Sequence, residues 1–422
     1  MSAIPQIATG VPAGRTGYKT ALLVLAGVFA AGALGLVYLL ATNPDVVPWG
    51  ILTASYVYLL GVTQFGIAFT AVMRLCRAKW ARPFYRVGEI ATLAYLPFAF
   101  VLFLVIFAFG GEQLFFWLNP APGEHLSAWL NADFLLIRNL VAQAVFYLLA
   151  IVYFLSGLIP DATAPSATSG GGTQGAFQRW LYAQQQKRDL DGLKSNMYML
   201  APVVLVVAVV ANTFIAWDFG MMLFPHYHST VFPMYFILGN MLGGTALIVV
   251  LAAFTSRTLD QEKFFTTFQL KSVGVVITGF SLFWIYMFWA QFFVTWFGNL
   301  PHETQPLATR MVGHYAPYFW VMMACVFGIP VASMVAAYTK RHWWSLLTVC
   351  VIILIGIWLN RYLLVVPASI PDHTPFSAFS EIVLVGGLLA GFLLLYFLLI
   401  RAVPMISAWE MRDAAGEEGP AY

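Results

Sequence analysis

Polar side chains interrupt the apolar segments of this chain at positions where a helix that only anchors a protein would need none. In residues 289–304, Gln291 lies within the apolar part, and Asn299, His302 and Glu303 follow at its end. Amides and ionised groups at membrane depth are costly, and they usually face a partner or a water-filled path. Carboxylates and histidines in such places indicate a protein that handles protons.

The ionisable side chains of the apolar segments form two tiers. The inner tier consists of Glu89 and Lys271. The outer tier is larger and contains Asp133, Arg138, Asp218, His226, His228, His302, Glu303, Arg310, Arg361 and Glu381. Between the tiers the sequence places only neutral polar groups, which include Gln64, Gln143, Asn240 and Ser281.

These tiers predict a proton pathway. Glu89 and Lys271 would take up protons on one side of the membrane, and water along the four neutral groups would bridge the middle. The groups predicted to handle protons on the other side are Asp218, His226, Glu303 and Glu381. A second interpretation of residues 218–230 is an interfacial turn, in which Pro225 breaks one helix before the next begins.

Three arginines are predicted to form structural ion pairs, because an unpaired charge at this depth is expensive. Arg86 precedes Glu89 by three residues, so the two can meet on one helical face. Arg138 is expected to pair with Glu381, and Arg361 is assigned a similar role. Lys271 either extends to the membrane surface or contacts Glu89.

The aromatic residues of the same region suit the wall of a quinone site. The candidates are Trp284, Tyr286, Trp289 and Gln291. Contact with lipid or packing in the core is the better default explanation of such residues.

The composition defines the class of protein. Only 9% of the 422 residues are charged and 61% are apolar, whereas about 25% of residues are charged in average soluble domains. The chain is therefore a polytopic membrane protein.

Its three cysteines form no C-x-x-C or C-x-x-C-H motif, which argues against iron–sulfur ligation and covalent haem attachment. All seven histidines lie at span ends or in loops, where they cannot ligate a haem within the membrane.

Ten apolar segments are long enough to span a membrane, for which about 20 residues suffice. They cover residues 18–41, 49–74, 84–110, 133–158, 196–219, 229–254, 265–298, 314–339, 343–365 and 377–401. Their continuous apolarity predicts helices rather than barrel strands. All basic residues except Arg138, Arg310 and Arg361 fall on one side, which predicts that both termini are cytoplasmic.

This topology divides the chain into five parts. They are an N-terminal cytoplasmic segment (1–17), four spans (18–158), a cytoplasmic linker with a candidate interfacial helix (159–195), six spans (196–401) and a cytoplasmic tail (402–422). The linker helix either lies on the membrane surface or is a solvated connector. The acidic residues Glu410–Glu418 are expected to be disordered. The N-terminus does not resemble a cleaved signal.

Five segments resemble motifs of the NrfD/polysulfide-reductase-like membrane subunits, and most of all the two such subunits of bacterial alternative complex III. The segments are Arg86-Val-Gly-Glu89, Leu130 to Arg138, Asp218 to Thr230, Gln291 to Thr304 and Gly356 to Pro367. The chain departs from the family pattern at several acids, since His302 and Asn360 stand where glutamates are expected.

The resemblance implies an all-α membrane protein built from two four-helix bundles plus two flanking helices. Because no histidine precedes His125, the chain is more similar to the second subunit of this type, ActF. This implies a subunit of a quinol:electron-acceptor oxidoreductase of the cytochrome c type, with a proton pathway and no redox metals of its own. Menaquinol or another quinone is the candidate ligand.

The resemblance also implies partners in the respiratory chain of the cytoplasmic membrane. These are the other NrfD-like subunit, an iron–sulfur subunit and multihaem cytochrome c subunits, which would carry the iron–sulfur clusters and haems. Two other functions are kept as alternatives. One is a solitary secondary transporter, and the other is a purely structural membrane scaffold.

Overall fold

A computed structural model describes residues 16–118, 127–162, 173–224 and 227–411. The protein is all-helical, with 87% helix and no strand within these residues. Its helices are α1 (Thr16–Thr42), α2 (Trp49–Leu75), α3 (Tyr85–Val105), α4 (Ala132–Leu158), α5 (Thr173–Lys187), α6 (Leu190–Ala216), α7 (Phe232–Thr258), α8 (Thr267–Gly298), α9 (Pro301–Met311), α10 (Ala316–Met323), α11 (Ala337–Arg341), α12 (Trp343–Ser369) and α13 (Phe379–Ile400).

Three of these helices continue through π turns. The turn Ile106–Gly110 extends α3, Trp217–Met221 extends α6, and Ala324–Gly328 carries α10 onward into Ile329–Val335. Ten helices of the described chain are long and apolar enough to cross a membrane, as predicted: α1, α2, α3, α4, α6, α7, α8, α10, α12 and α13. Since ten is even, both ends of the described chain lie on one membrane face, which we call the inner face. The opposite face is the outer face.

The spans form two four-helix bundles and a flanking pair. Helices α2, α3, α4 and α6 make the first bundle, and α7, α8, α10 and α12 make the second. The bundles meet where α2 packs against α7 and α12. Helices α1 and α13 pair with each other and flank the first bundle along α3. The predicted architecture is confirmed.

Small residues allow the central helices to approach closely, as in other membrane bundles. A Cβ atom added at Gly66 of α2 would lie 2.2 Å from the carbonyl oxygen of Gly88 in α3. A Cβ atom at Gly61 would lie 2.2 Å from Oδ1 of Asn240 in α7. These glycines set the separation between α2 and its neighbours.

We expect Gly66→Ala to destabilise the protein by about 1–3 kcal/mol, because the added methyl group meets backbone rather than a movable side chain. The loss would appear as a lower Tm in detergent. Gly279→Ala is the matched control, since nothing lies within 4 Å of its Cβ position and alanine is the better helix former. Equal Tm values for the two variants would contradict the close contact.

The sequence predicts disorder in the tail from Glu410 to Glu418, but Glu410 itself belongs to a folded segment that follows α13. Residues 402–411, here called the C-terminal arm, fold back against the inner end of the first bundle. Val403, Met405, Ile406 and Trp409 are buried. Burial of these apolar side chains stabilises the arm, although the prediction of disorder relied on its acidic residues. Glu410 itself is only 4% exposed. The rest of the predicted acidic tail lies outside the described residues.

The linker helix α5 packs on the same end of the bundle. Leu181 is buried, while Trp180 on another face of the helix is exposed. Gln185 Nε2 donates to the carbonyl oxygen of Pro160 at 3.1 Å. The helix is therefore held against the protein by one apolar face.

Candidate functional site

The inner tier is a buried cluster built around Glu89. Arg74 Nη1 donates to Glu89 Oε1 at 2.6 Å, and Arg86 Nη1 donates to Oε2 at 3.2 Å. Glu89 and Arg86 are completely buried, and Arg74 is 3% exposed. The predicted pairing of Arg86 with Glu89 is present. Arg74, at the end of α2, is a second cation that the sequence did not single out.

Two further acids complete this cluster from distant parts of the chain. Arg74 Nε donates to Glu410 Oε1 at 2.8 Å, and Arg86 Nη2 donates to Asp161 Oδ2 at 3.1 Å. The backbone N–H of Trp409 donates to Asp161 Oδ1 at 3.0 Å. Burial raises the pKa of the Glu410 carboxyl, and the charge of Arg74 opposes this shift. The C-terminal arm thus closes the inner end of the bundle over two arginines.

Lys271 does not join the inner cluster. Its side chain is exposed at the start of α8, while both oxygens of Glu89 accept from arginines. Of the two roles considered for Lys271, contact with Glu89 is therefore wrong. The long flexible stem favours extension to the membrane surface.

The outer tier centres on a two-pronged ion pair between α4 and the π turn after α6. Arg138 Nη2 and Nε donate to the two oxygens of Asp218 at 2.5 and 3.0 Å. Asn139 Nδ2 donates to Oδ2 at 2.7 Å, and Trp129 Nε1 donates to Oδ1 at 3.2 Å. Four donors therefore stabilise the buried carboxylate, which is 1% exposed.

The predicted pair between Arg138 and Glu381 is wrong, because Arg138 is saturated by Asp218 and Glu381 has another partner. His373 Nε2 lies 2.8 Å from Glu381 Oε1. The Tyr362 hydroxyl lies 2.8 Å from His373 Nδ1 and donates to the backbone carbonyl of the same histidine. Glu381 is buried, whereas the His373 side chain is 13% exposed. The histidine therefore connects a buried acid to the outer surface.

The middle of the membrane holds a connected set of amides. Gln64 Nε2 donates to Gln143 Oε1 at 2.5 Å, and Asn212 Nδ2 donates to Gln64 Oε1 at 3.0 Å. Asn240 Nδ2 donates to Asn212 Oδ1 at 2.9 Å. Three of the four neutral groups predicted to bridge the middle are thus joined, through Asn212. The fourth, Ser281, has no partner for its hydroxyl among the described residues.

The amide set continues into the second bundle through Arg361. Its Nη2 donates to Asn240 Oδ1 at 2.8 Å and to the carbonyl oxygen of Phe236 at 2.7 Å. Its Nη1 donates to Asn360 Oδ1 at 2.9 Å, and the guanidinium lies 3.6 Å from the centre of the Phe236 ring. Within the described residues Arg361 therefore contacts amides, a carbonyl and a ring, and not the carboxylate expected of an ion pair.

One face of α4 carries polar groups along nearly its whole length. Asn139, Gln143 and Tyr147 follow one another at four-residue spacing, and Tyr153 continues toward the inner end. All four are buried. Tyr147 lies beside Gln64, and the Arg74 guanidinium lies 5.1 Å from the centre of the Tyr153 ring. This face, here called the α4 stripe, runs between the Asp218 and Glu89 clusters.

Residues 39–371 match the family model described as polysulphide reductase, NrfD. This chain belongs to the NrfD family. A search of curated proteins found no match. NrfD proteins are membrane subunits of quinone-interacting oxidoreductase complexes, and they typically partner with iron–sulfur and other redox subunits.

The remaining predicted proton-handling residues of this NrfD protein lie near the outer end of the second bundle. Gln291 donates to the Tyr227 hydroxyl. Burial raises the pKa of Tyr227 to about 12 and lowers the pKa of Arg310. The charge of Arg310 lowers the pKa of Tyr227, and the charge of Glu303 raises it. His226 lies outside the described residues.

The predicted quinone wall of the NrfD chain does not form one surface. Trp284 is completely buried, while Tyr286 and Trp289 are 61% and 55% exposed. Successive helical residues turn by about 100°, so Trp284 and Gln291, seven apart, share one face of α8. Tyr286 and Trp289 lie on another face.

Several polar residues of the NrfD site were missed in the sequence. Asn139 and Tyr147 could have been found, because they stand four residues either side of Gln143 and so share its helical face. Arg74 and Glu410 are 336 residues apart, and no local pattern links them. His373 lies in a loop, where nothing in the sequence indicates its contact with Glu381.

Proposed function

We propose that this NrfD chain is the second, ActF-like subunit of an alternative complex III type of quinol:cytochrome c oxidoreductase. It would contribute a proton pathway to the complex and hold no redox metals itself. The family membership supports the general role of the chain. The sequence motifs around Glu89, Arg138 and Asp218 support the specific complex, since each motif supplies a member of one of the two buried clusters.

The α4 stripe is the observation that carries the proton pathway. Gly157 lies 18 positions after Asn139, or about 27 Å at 1.5 Å per residue, and the hydrocarbon core of a bilayer is about 30 Å thick. Asn139 contacts Asp218 at one end, and Gly157 accepts from Arg86 at the other. A helix that only packs in a core has no need of a polar face of this length.

Protons would enter at the inner cluster and leave at the outer one. Glu89 would accept a proton, and Tyr153, Tyr147 and Gln143 would lead it outward. The hydroxyls of Tyr147 and Tyr153 lie beside Gln64 and Arg74 without a hydrogen bond of good geometry to either, and buried hydroxyls of this kind are usually satisfied by water. Water at these positions would span the widest step, about 9 Å along the helix from Tyr153 to Tyr147.

Two outer groups would complete the pathway. Asp218 would receive protons from the α4 stripe. The amide set through Asn240 and Arg361 would lead toward the second bundle, where Glu381 and His373 form an exit. The basic residues on the inner face support a cytoplasmic inner side, so the flow would run outward through the cell membrane.

Quinone contact is a separate part of the proposal. The exposed rings of Tyr286 and Trp289 offer stacking surfaces for a quinone headgroup at the rim of α8. Trp284 and Gln291 would not take part, because they face the interior of the second bundle. Oxidation of menaquinol or another quinol would supply the electrons, and haem and iron–sulfur clusters in the partner subunits would carry them.

Purification of the tagged chain in mild detergent tests the proposed complex. We expect it to bring an iron–sulfur subunit, multihaem cytochrome c subunits and a second NrfD-like subunit, identified by mass spectrometry and by haem absorbance. An unrelated membrane protein with the same tag is the control. Isolation of the chain without redox partners would refute the proposal and favour a solitary transporter. Against that alternative, no described span unwinds at mid-membrane as transporter helices commonly do, because even the π turn Ala324–Gly328 keeps its span helical.

A further inference from the structure

A cavity of about 540 Å³ opens on the inner face beside the C-terminal arm. It lies where α2 ends and α3 begins, and the inner part of α6 forms another wall. Its charged lining consists of Arg74, Arg77, Arg82 and Glu410. Three guanidinium groups against one carboxylate leave the cavity positively charged.

The other walls of the cavity are apolar or aromatic. They are formed by Leu75, Tyr85, Tyr198 and Trp409. Leu75 and Tyr198 are 42% and 43% exposed, at the inner ends of membrane-spanning helices. The cavity therefore combines a cationic end with an apolar rim at the level where lipid headgroups meet acyl chains.

Arg77 carries the second, independent observation. It follows α2 in the left-handed conformation, with φ of 49°. Its N–H donates to the carbonyl of Arg74 at 3.0 Å, and the N–H of Ala78 donates to that of Met73 at 2.8 Å. This pair of bonds is the Schellman ending of a helix, in which the left-handed position usually belongs to glycine. Arginine is less favourable than glycine in this backbone conformation.

The partners of the three arginines differ. Arg74 is committed to Glu89 and Glu410, and Arg82 donates to the carbonyl oxygen of Glu410. Arg77 is exposed and makes no ion pair within the described residues. Its charge is therefore available to a ligand from outside the chain.

We propose that this cavity binds the phosphate headgroup of an anionic membrane phospholipid, held by Arg77 and Arg82. Basic pockets between membrane helices are suited to such headgroups, and a guanidinium matches phosphate geometry with paired N–H donors. The acyl chains would leave the cavity over Leu75 and Tyr198. The cavity shares Arg74 and Glu410 with the inner cluster, but lipid binding is measured without proton transfer, so its test does not depend on the proposed pathway.

Native mass spectrometry of the purified, delipidated complex tests the site. We expect phosphatidylglycerol or cardiolipin to rebind, and phosphatidylcholine to rebind less. Arg77→Gly should lower the retained anionic lipid about fivefold, the effect of losing one basic contact at a membrane surface. Arg77→Gly also relieves the left-handed backbone, so the Tm of the delipidated protein should not fall. Loss of lipid with an unchanged or higher Tm cannot be ascribed to misfolding.

A control variant and three contrary results complete the test. Lys187→Gln with Arg188→Gln removes two exposed charges from the inner face away from the cavity, and it should leave lipid binding unchanged. Equal lipid retention by wild type and Arg77→Gly would overturn the proposal. So would displacement of the lipid by millimolar inorganic phosphate, which would identify a soluble phosphate as the ligand. Rebinding only after deletion of residues 412–422 would also overturn it, since the acidic tail would then be the occupant.

Discussion

Arg138→Met will destabilise the protein by about 3–5 kcal/mol, the usual effect of removing one member of a buried ion pair. Asp218 is 1% exposed, and it would lose the two donors of the guanidinium, at 2.5 and 3.0 Å; its carboxyl group would then either stay charged without a counter-charge or take up a proton, and both cost free energy. Asn139 and Trp129 alone cannot compensate a full negative charge at this depth. The measurement is thermal unfolding of the purified protein, together with the yield of assembled complex.

A second substitution separates the effect of the unpaired charge on stability from the effect of the lost packing. In Arg138→Met with Asp218→Asn no unpaired charge remains, and the asparagine oxygen still accepts from one of the two remaining donors, Trp129 or Asn139. We expect this double variant to recover more than half of the lost stability. Arg257→Met is the matched control, because the pair of Arg257 with Glu262 at 3.0 Å is exposed and should contribute about 0–1 kcal/mol. A double variant as unstable as Arg138→Met would show that packing, rather than charge, holds this site.

The same double variant also tests function. It lacks the carboxylate that we propose as the outer end of the α4 stripe, yet it should assemble. We therefore expect normal subunit composition with slowed proton-coupled turnover.

Glu89→Gln will leave the complex assembled and lower its proton-coupled turnover at least about tenfold, equivalent to about 1.4 kcal/mol in the barrier. The assembly should survive because both arginines keep another acid. Arg74 retains Glu410 at 2.8 Å, and Arg86 retains Asp161 at 3.1 Å. Glutamine has the shape of the glutamate but cannot accept and pass on a proton. Quinol oxidation and proton uptake by the complex in vesicles are the quantities to measure.

Asp161→Asn is the control for Glu89→Gln. It neutralises another acid bound to Arg86, but Asp161 lies one turn beyond Gly157, past the inner end of the α4 stripe, where its other oxygen accepts from the backbone of the C-terminal arm. Its turnover should stay near that of wild type. If Glu89→Gln assembles and retains full proton-coupled turnover, Glu89 is a structural residue and the proposed entry is wrong.

The number, length and helical type of the spans were predictable because each follows from a local property. A run of about 20 apolar residues must satisfy its own backbone hydrogen bonds inside lipid, whatever its neighbours are. The pairing of Arg86 with Glu89 was predictable for the same reason, since three residues on a helix bring two side chains together.

The partners of the other charges were not predictable in this way. Arg138 and Glu381 both lie in the outer tier, and their depth alone made them a plausible pair. Depth follows from position along a span, but direction around the helix and the order of helices in the bundle decide contact. In the folded protein Arg138 meets Asp218 of the same bundle, whereas Glu381 lies on the flanking α13 and meets His373 from the preceding loop.

The amino-acid order of this chain therefore establishes a ten-span helical membrane protein with acids and amides at defined depths, because hydropathy and helical period act over one or a few turns. Its folding establishes which of those groups touch. Glu410 reaches Arg74 across 336 residues, and four amides from α2, α4, α6 and α7 join in the middle of the membrane. Such contacts arise from the packing of whole helices, which no short segment encodes.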